Sequence, residues 1–417
     1  MQKEYTSRAE QIMRRIQQLA AISEDADGVT RTFGTPAFLQ GRALVQGWLE
    51  AAGLPTRVDG IGNLRARLLS KNPGARTFVL ASHIDTVVNA GKFDGPLGVL
   101  MGLDLLENLL VQQAELPFHI ELIAFSDEEG VRFHTTYLGS EVVAGTFDPS
   151  VLARTDAGGI TLARALEIME ADAAQIAADA IPAADWLGYF EMHIEQGPVL
   201  WERQIPVALV TAIAGQMRVE LTFRGMAGHA GTVPMDMRQD ALCAAAEFVL
   251  IAEQFALQHD QGLVATVGKL SLSHAASNVI PGEVTCSLDL RSPTAAQLAD
   301  AYQALKTYTE ALATQRNVAV SWNLIQETAP VACAAELNEL LAQAIADAGH
   351  EVVALVSGAG HDAVPVSAVA PATMLFIRCF KGISHNPLED VELVDLAAAL
   401  EVADRFLHLL RLQIPAR

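Results

Sequence analysis

Four strings in this chain put histidine and carboxylate side chains where a metal-assisted hydrolysis needs them. In SHIDTV, His83 follows an apolar run and Asp85 stands close enough to accept a hydrogen bond from the imidazole, as a carboxylate does when it fixes the tautomer of a metal-binding histidine. In GKFDGPLGV, Asp94 precedes Gly95 and Pro96, a turn and helix start where, taken alone, the carboxylate reads as an N-cap. FSDEEG sets Asp127, Glu128 and Glu129 side by side, and adjacent like charges repel unless they are solvated or bound to a cation. In EMHIEQGP, His193 lies in a strand-like run with Gln196 just beyond, and GISHNP adds His385 in a loop before Pro387. Each string alone fits a surface turn or a structural pair. Together they make a dinuclear site with mixed nitrogen and oxygen ligands, the type suited to zinc, manganese, cobalt or nickel. If Glu129 ligates a metal, Glu128 is left as general base on a water between the two cations. No HExxH, GxSxG, Walker loop or GxGxxG after a strand offers a rival template.

Such residues must be carried to one place by the elements before them. Apolar spacing predicts amphipathic helices over Ala9 to Ile22 and Phe38 to Ala52, a buried strand over Phe78 to Ser82, a helix over Pro96 to Val111 and a second buried strand over His119 to Phe125. That β-α-β rhythm implies a mainly parallel sheet covered by helices, with its ligand site beyond the carboxyl ends of the strands, where His83 and the three acids fall. From about Gln216 the texture becomes strand (217–225), helix (239–259), strand (263–272), strand (283–292), helix (293–315) and strand (317–325), the ferredoxin-like split motif. A helix over Ala334 to Ala348, strands over Val352 to Val356 and Ala372 to Ile377, and a helix over Leu393 to Leu412 then complete the first sheet. The fold class is therefore α/β, with a mainly parallel-sheet metallohydrolase domain over 1–213 and 328–417 and an inserted α+β domain over 214–327. The Ala-rich stretch Ala171 to Ala184 reads as a helix and its loop.

Composition narrows the classes of function. The chain has 417 residues, 51% of them hydrophobic, enough for two cores, and its 28 Lys+Arg against 49 Asp+Glu leave a formal charge of −21. Such a surface repels phosphate backbones and anionic lipid, so neither nucleic acid nor membrane is an expected partner. The N-terminal MQKEYTSRAEQIMRR has no apolar h-region, and no run of about twenty apolar residues offers a membrane span. Four well-separated cysteines without a CxxC pair read as buried small hydrophobes in a reducing cytoplasm.

The ordered set SHIDTV, DGPLGV, DEEGVRF, HIEQGP, GHAGTVPM, NVIPG, DLRS, SGAGHDA and GISHNP resembles the dizinc hydrolases of the M20 peptidase superfamily. More narrowly, it is similar to the hydantoinase/carbamoylase branch, which holds N-carbamoyl-L-amino acid hydrolases, allantoate amidohydrolase and β-ureidopropionase. The resemblance implies that Asp94 bridges two divalent metals, zinc or else manganese, cobalt or nickel, with His83 and His193 on one and Glu129 and His385 on the other. It makes Glu128 the general base. It further implies that the inserted domain is a lid that dimerises, that His229 reaches the partner's site to stabilise an oxyanion, and that Asn278 and Arg291 grip the substrate carboxylate. Gln196, Gly360 and His361 resemble contacts to the ureido group. Peptidase members usually carry an acid where this chain has His193, which moves the reading from peptide to ureido substrates. The activity implied is hydrolysis of carbon–nitrogen bonds other than peptide bonds in linear amides or amidines: loss of the terminal carbamoyl group from N-carbamoyl amino acids or allantoate, with ammonia and carbon dioxide released. The alternative is a dinuclear peptidase or aminoacylase. RFHTTYLGS looks somewhat more like allantoate amidohydrolase, while the choice of ureido acid, the metal and the stereospecificity stay open.

Overall fold

A computed structural model describes residues 2–259 and 262–414. The chain divides into two compact units, one of residues 1–211, 333–355 and 360–417, the other of 212–332 and 356–359.

Among the described residues, sixteen strands carry the fold: β1 (Thr56–Val58), β2 (Leu64–Leu68), β3 (Thr77–His83), β4 (His119–Phe125), β5 (Trp186–Ile194), β6 (Val207–Ile213), β7 (Gly215–Arg224), β8 (Gly228–His229), β9 (Val264–Thr266), β10 (Leu270–Leu272), β11 (Val279–Ile280), β12 (Glu283–Ser292), β13 (Ala319–Thr328), β14 (Val331–Ala332), β15 (Ala354–Ser357) and β16 (Ala372–Ile377). In the first unit they lie in the order β1-β2-β4-β3-β5-β16-β6. The central four, β4, β3, β5 and β16, run parallel, while β2 and β6 join antiparallel at the flanks. Every residue of β3 and β4 is buried. That is why both strands read as unbroken apolar runs: helices cover the two faces of a parallel sheet, so no alternation survives. One of those helices, Pro96–Val111, follows β3 and buries Leu97, Leu100, Leu103 and Leu106 along its length.

The second unit is an antiparallel sheet in the order β10-β12-β7-β13, with β9 also on β12, carrying helices Ala241–Gln258 and Ala295–Gln315. This strand order is that of the ferredoxin-like motif. Burial alternates strictly along β12, one face packing on the helices. The strand expected over 263–272 is instead two pieces. Thr266 faces Asp289 and Leu270 faces Cys286, so four steps on one side match three on the other, a bulge at Gly268 that splits it. By length and composition Ala241–Gln258 is apolar enough to cross a membrane, yet Ala244, Ala245, Phe248 and Ala252 are buried in this unit's core. The Ala-rich stretch forms two 3-10 turns, Ala173–Ala178 and Ala183–Asp185, rather than an α-helix; Asp172 caps the first through the Ala174 amide.

Candidate metal centre

Parallel pairing delivers the histidines to one edge. His83 closes β3 opposite Phe125, the last residue of β4, and His193 on β5 is in register with Phe376 on β16, so the segments leaving these strands meet beyond their carboxyl ends. Asp94 arrives on the loop between β3 and the Pro96 helix. The helix N-cap is Gly95, with no side-chain cap, so the Asp94 carboxylate is free of the capping role that its position suggests. Gly95 adopts φ +82°, and a Cβ there would stand 2.4 Å from the His83 ring. Only glycine lets the backbone pass that close.

The ligand atoms converge. His83 Nε2 lies 3.5 Å and His193 Nε2 3.1 Å from Asp94 Oδ1, while His385 Nε2 is 3.3 Å from Asp94 Oδ2 and 3.2 Å from Glu129 Oε1. Among the described residues, three groups hold ligand atoms within 4.8 Å of one another: His83 with Asp94 and His193, His83 with Glu128 and Glu129, and Asp94 with Glu129 and His385. Asp94 and Glu129 thus link one cluster to the next. His83 Nδ1 lies 3.1 Å from the Asp85 carbonyl and His193 Nδ1 3.0 Å from that of Ile194. A carbonyl only accepts, so each Nδ1 carries the hydrogen and each neutral ring presents a lone pair at Nε2. Those two lone pairs face each other at 3.5 Å, and Asp94 Oδ1 is buried with no hydrogen bond among the described residues. Lone pairs and an anion aimed at one point are unfavourable unless a cation sits there, so the donor set fits two divalent ions.

The electrostatics point the same way. Burial pulls His83 down, but the Asp85 and Asp94 carboxylates outweigh it and hold the ring well above its ordinary value. His385, bonded to Asp94 and then Glu129, is pushed up to about 10. Burial raises Asp94, and the His193, His385 and His83 contacts overcome it and hold its carboxyl well below the usual range. Burial pushes Glu128 well up, with Glu129 and Asp362 adding to it. The pocket favours positive charge, whether brought by protons or by metal.

Residues 79–409 match the model of peptidase family M20/M25/M40. The chain belongs to that family. Within it, the hydantoinase/carbamoylase branch is the near neighbourhood. The chain is 38% identical to an allantoate deiminase of Arabidopsis thaliana, over 92% of this chain and 79% of that one. It is 36% identical to an N-carbamoyl-L-amino acid amidohydrolase of Geobacillus stearothermophilus, over 94% and 96%. A solved amidase of the hydantoinase/carbamoylase family from Burkholderia multivorans superposes with a TM-score of 0.90 at 32% identity, covering 98% of each chain.

In this M20 member the remaining candidates fall in two places. Gln196, at φ +57°, donates from Nε2 to Asp94 Oδ2 at 2.8 Å, and the His361 ring packs edge-on against His193 at 4.6 Å. Gly360 lies under the Tyr137 hydroxyl, which would be 1.7 Å from a Cβ. In the second unit, β8 pairs with β11 so that His229 faces Val279, and the Ala230 amide donates to the Asn278 carbonyl at 3.0 Å. The Gly231 amide donates to His229 Nδ1 at 3.0 Å, which leaves the hydrogen on Nε2 of that exposed ring, a donor facing outward. Arg291 spends its fork on Asp289, at 2.9 and 3.1 Å, and also donates to the Gly358 carbonyl.

The Asp85 carboxylate lies 3.5 Å from His83 Nδ1, which is 3.1 Å from the Asp85 carbonyl, and it also accepts from the amides of Glu128 at 3.1 Å and Glu129 at 3.2 Å. It therefore shapes the acidic loop as well as the histidine. Sequence reasoning missed Ser384, whose hydroxyl donates to Asp94 Oδ2 at 2.6 Å, and Glu389, which accepts from the Phe93 and Asp94 amides at 2.7 and 3.1 Å. Ser384 adjoins His385 in the chain, the one clue that could have flagged it.

Proposed function

We propose that this protein is a two-metal amidohydrolase that removes the terminal carbamoyl group from N-carbamoyl amino acids or allantoate. The observation that carries the reading is that His83, Asp94, Glu129, His193 and His385 fall in linked clusters of ligand atoms, with Glu128 next to them and histidine rather than an acid at 193. The names of the relatives supply the substrate class. When bound, two divalent ions would lower the pKa of a water and polarise the ureido carbonyl.

The rest is work for this chain's residues. His83 and His193 with Asp94 would hold one ion, and Glu129 and His385 with Asp94 the other. Glu128 takes a proton from the attacking water and returns it to the leaving amine. The carbamate released falls apart to carbon dioxide and ammonia. His229 donates to the developing oxyanion, and Asn278 and Arg291 hold the substrate carboxylate, for which Arg291 must exchange Asp289 for the ligand. Gln196, Gly360 and His361 contact the ureido group. We further propose that the second unit is a lid through which two copies dimerise, His229 serving the partner's site. A cytoplasmic location goes with this reading; Cys243, Cys286, Cys333 and Cys379 are all free thiols, but only Cys286 and Cys379 are buried as expected, Cys333 being half-buried and Cys243 exposed near the start of helix Ala241–Gln258.

The test is a turnover screen with N-carbamoyl amino acids, allantoate, ureidopropionate and a dipeptide, with added manganese or zinc and after exhaustive chelation. Ureido hydrolysis that chelation abolishes and a transition metal restores is expected. Cleavage of the dipeptide alone, or full activity in protein shown metal-free by elemental analysis, overturns the proposal.

A further inference from the structure

Tyr137 is held in a costly position. Its φ is +65° and ψ 21°, the left-handed region that a bulky residue enters only when its surroundings enforce it. Two backbone bonds do the enforcing: its amide donates to the Glu128 carbonyl at 3.2 Å, and that of Leu138 to the Asp127 carbonyl at 3.0 Å. The ring is thereby strapped to the loop that carries the base. At its far end the hydroxyl rests on Gly360; a Cβ built there would stand 1.7 Å from the oxygen and 3.0 Å from Cζ. Gly360 adjoins His361, which packs on His193. The phenol oxygen therefore stands between the loop of Glu128 and the segment beside the His83–His193 cluster. Burial, then the charges of Glu128, Asp362 and Glu191, keep it neutral, and Thr136 hydrogen-bonds it.

We propose that Tyr137 is a specificity-determining substrate contact, its phenol oxygen, seated on Gly360 beside Glu128, accepting a hydrogen bond from the terminal amide nitrogen of a ureido group. The inference rests on the ureido reading given above. A ureido group differs from an N-acyl group by an NH2 on the carbonyl carbon, which brings two donors that need acceptors in a water-poor site. A neutral hydroxyl has one hydrogen and two acceptor positions, so it can take a bond from that NH2 while its own hydrogen turns to a neighbouring oxygen. An N-formyl or N-acetyl substrate presents no donor there and leaves the phenol oxygen one bond short, with Thr136 still on it. Sites that hydrogen-bond one substrate group discriminate strongly against analogues lacking it. A phenylalanine would keep the ring but leave open the space over Gly360 that the hydroxyl fills.

The experiment compares wild type with Tyr137→Phe, metal-loaded, on an N-carbamoyl amino acid and the N-formyl derivative of the same amino acid. The ratio of their kcat/KM values should fall at least about tenfold in the variant, mostly through the ureido substrate. Where formyl turnover is too slow to follow, its competitive inhibition constant replaces its rate. The contact itself is tested without activity: Gly360→Ala should lower Tm, and adding Tyr137→Phe should recover part of the loss, because removing the hydroxyl leaves Cζ at 3.0 Å as the nearest atom. An unchanged ratio in Tyr137→Phe, or equal loss on both substrates, overturns the specificity role, and no recovery in the double variant overturns the contact. Wild type that hydrolyses the formyl compound and no ureido compound refutes the ureido reading itself, a result distinct from ureido hydrolysis with an unaltered ratio.

Discussion

Glu389 gives the sharpest way to ask whether the loops around Asp94 are built for a metal. It is 2% exposed and accepts, through one oxygen, the amides of Phe93 at 2.7 Å and Asp94 at 3.1 Å. Its own amide donates to the Asn386 carbonyl at 3.0 Å, so it belongs to the turn that follows His385. One side chain thereby ties the segment of Asp94 to that of His385. Glu389→Leu would strand two buried donors, at about 1–3 kcal/mol each, a loss of about 2–6 kcal/mol. Against this, burial and then Asp94 push the Glu389 carboxyl up to about 7, so the charged form already strains the fold. Removing a charge displaced by some two to three units returns about 3 kcal/mol above pH 7. The difference, from a gain of about 1 to a loss of about 3 kcal/mol, has no fixed sign, so thermal stability is the wrong readout. Metal affinity is the right one: a residue that orients a ligand typically changes it by about 10–100-fold. Chelator competition with zinc should show Glu389→Leu weaker by that factor, whereas Glu389→Gln, which keeps an oxygen for both amides, stays close to wild type. Undiminished affinity in a folded Glu389→Leu protein refutes the positioning role. A Gln variant as weak as the Leu variant would assign the effect to charge rather than to the amide bonds.

Other expectations follow from the same geometry. Glu128→Gln should keep both metals by elemental analysis and lose about 100-fold or more in kcat, while Glu129→Gln should release one metal; near-normal turnover in the first removes Glu128 from the base role. Mixing inactive His229→Ala and Glu128→Gln chains and exchanging subunits should restore about a quarter of the wild-type rate per site, since half the dimers are mixed and each carries one competent site. No recovery, with mixed dimers confirmed by mass spectrometry, would place His229 outside the partner's site. Burial raises Asp59 from 3.8 to about 6 despite Arg65, so its ionisation is disfavoured in the fold. Its stabilising share is present below pH 3.8 and lost as pH rises through 6. The unfolding free energy of wild type relative to Asp59→Asn should therefore drop by about 3 kcal/mol across that window in chemical denaturation, and a pH-independent difference rejects the assignment.

What could be read from the residues, and what could not, divides along a physical line. The runs Phe78 to Ser82 and His119 to Phe125 were visible because a strand covered on both faces is apolar throughout, and β3 and β4 are buried at every position. Strand direction then placed His83 and the Asp127–Glu129 acids at one edge, before any distance was known. The role open to Asp94 was not visible that way, since Asp-Gly-Pro before a helix reads as a cap. The distances of 3.1–3.5 Å from its oxygens to His83, His193 and His385 show that the carboxylate is turned toward the histidines. Gln196, Tyr137 and His385 take positive φ at 57°, 65° and 53°, conformations that no periodicity encodes and that are held by tertiary bonds. Glu389 and Ser384 likewise act through segments distant in sequence, Ser384 on an oxygen 290 residues away. Regular elements announce themselves through repetition, whereas the loops that meet at their ends are specified by one-off contacts. The histidines and acids at the strand ends could therefore be placed together from the sequence, whereas the position of the Tyr137 hydroxyl over Gly360 could not.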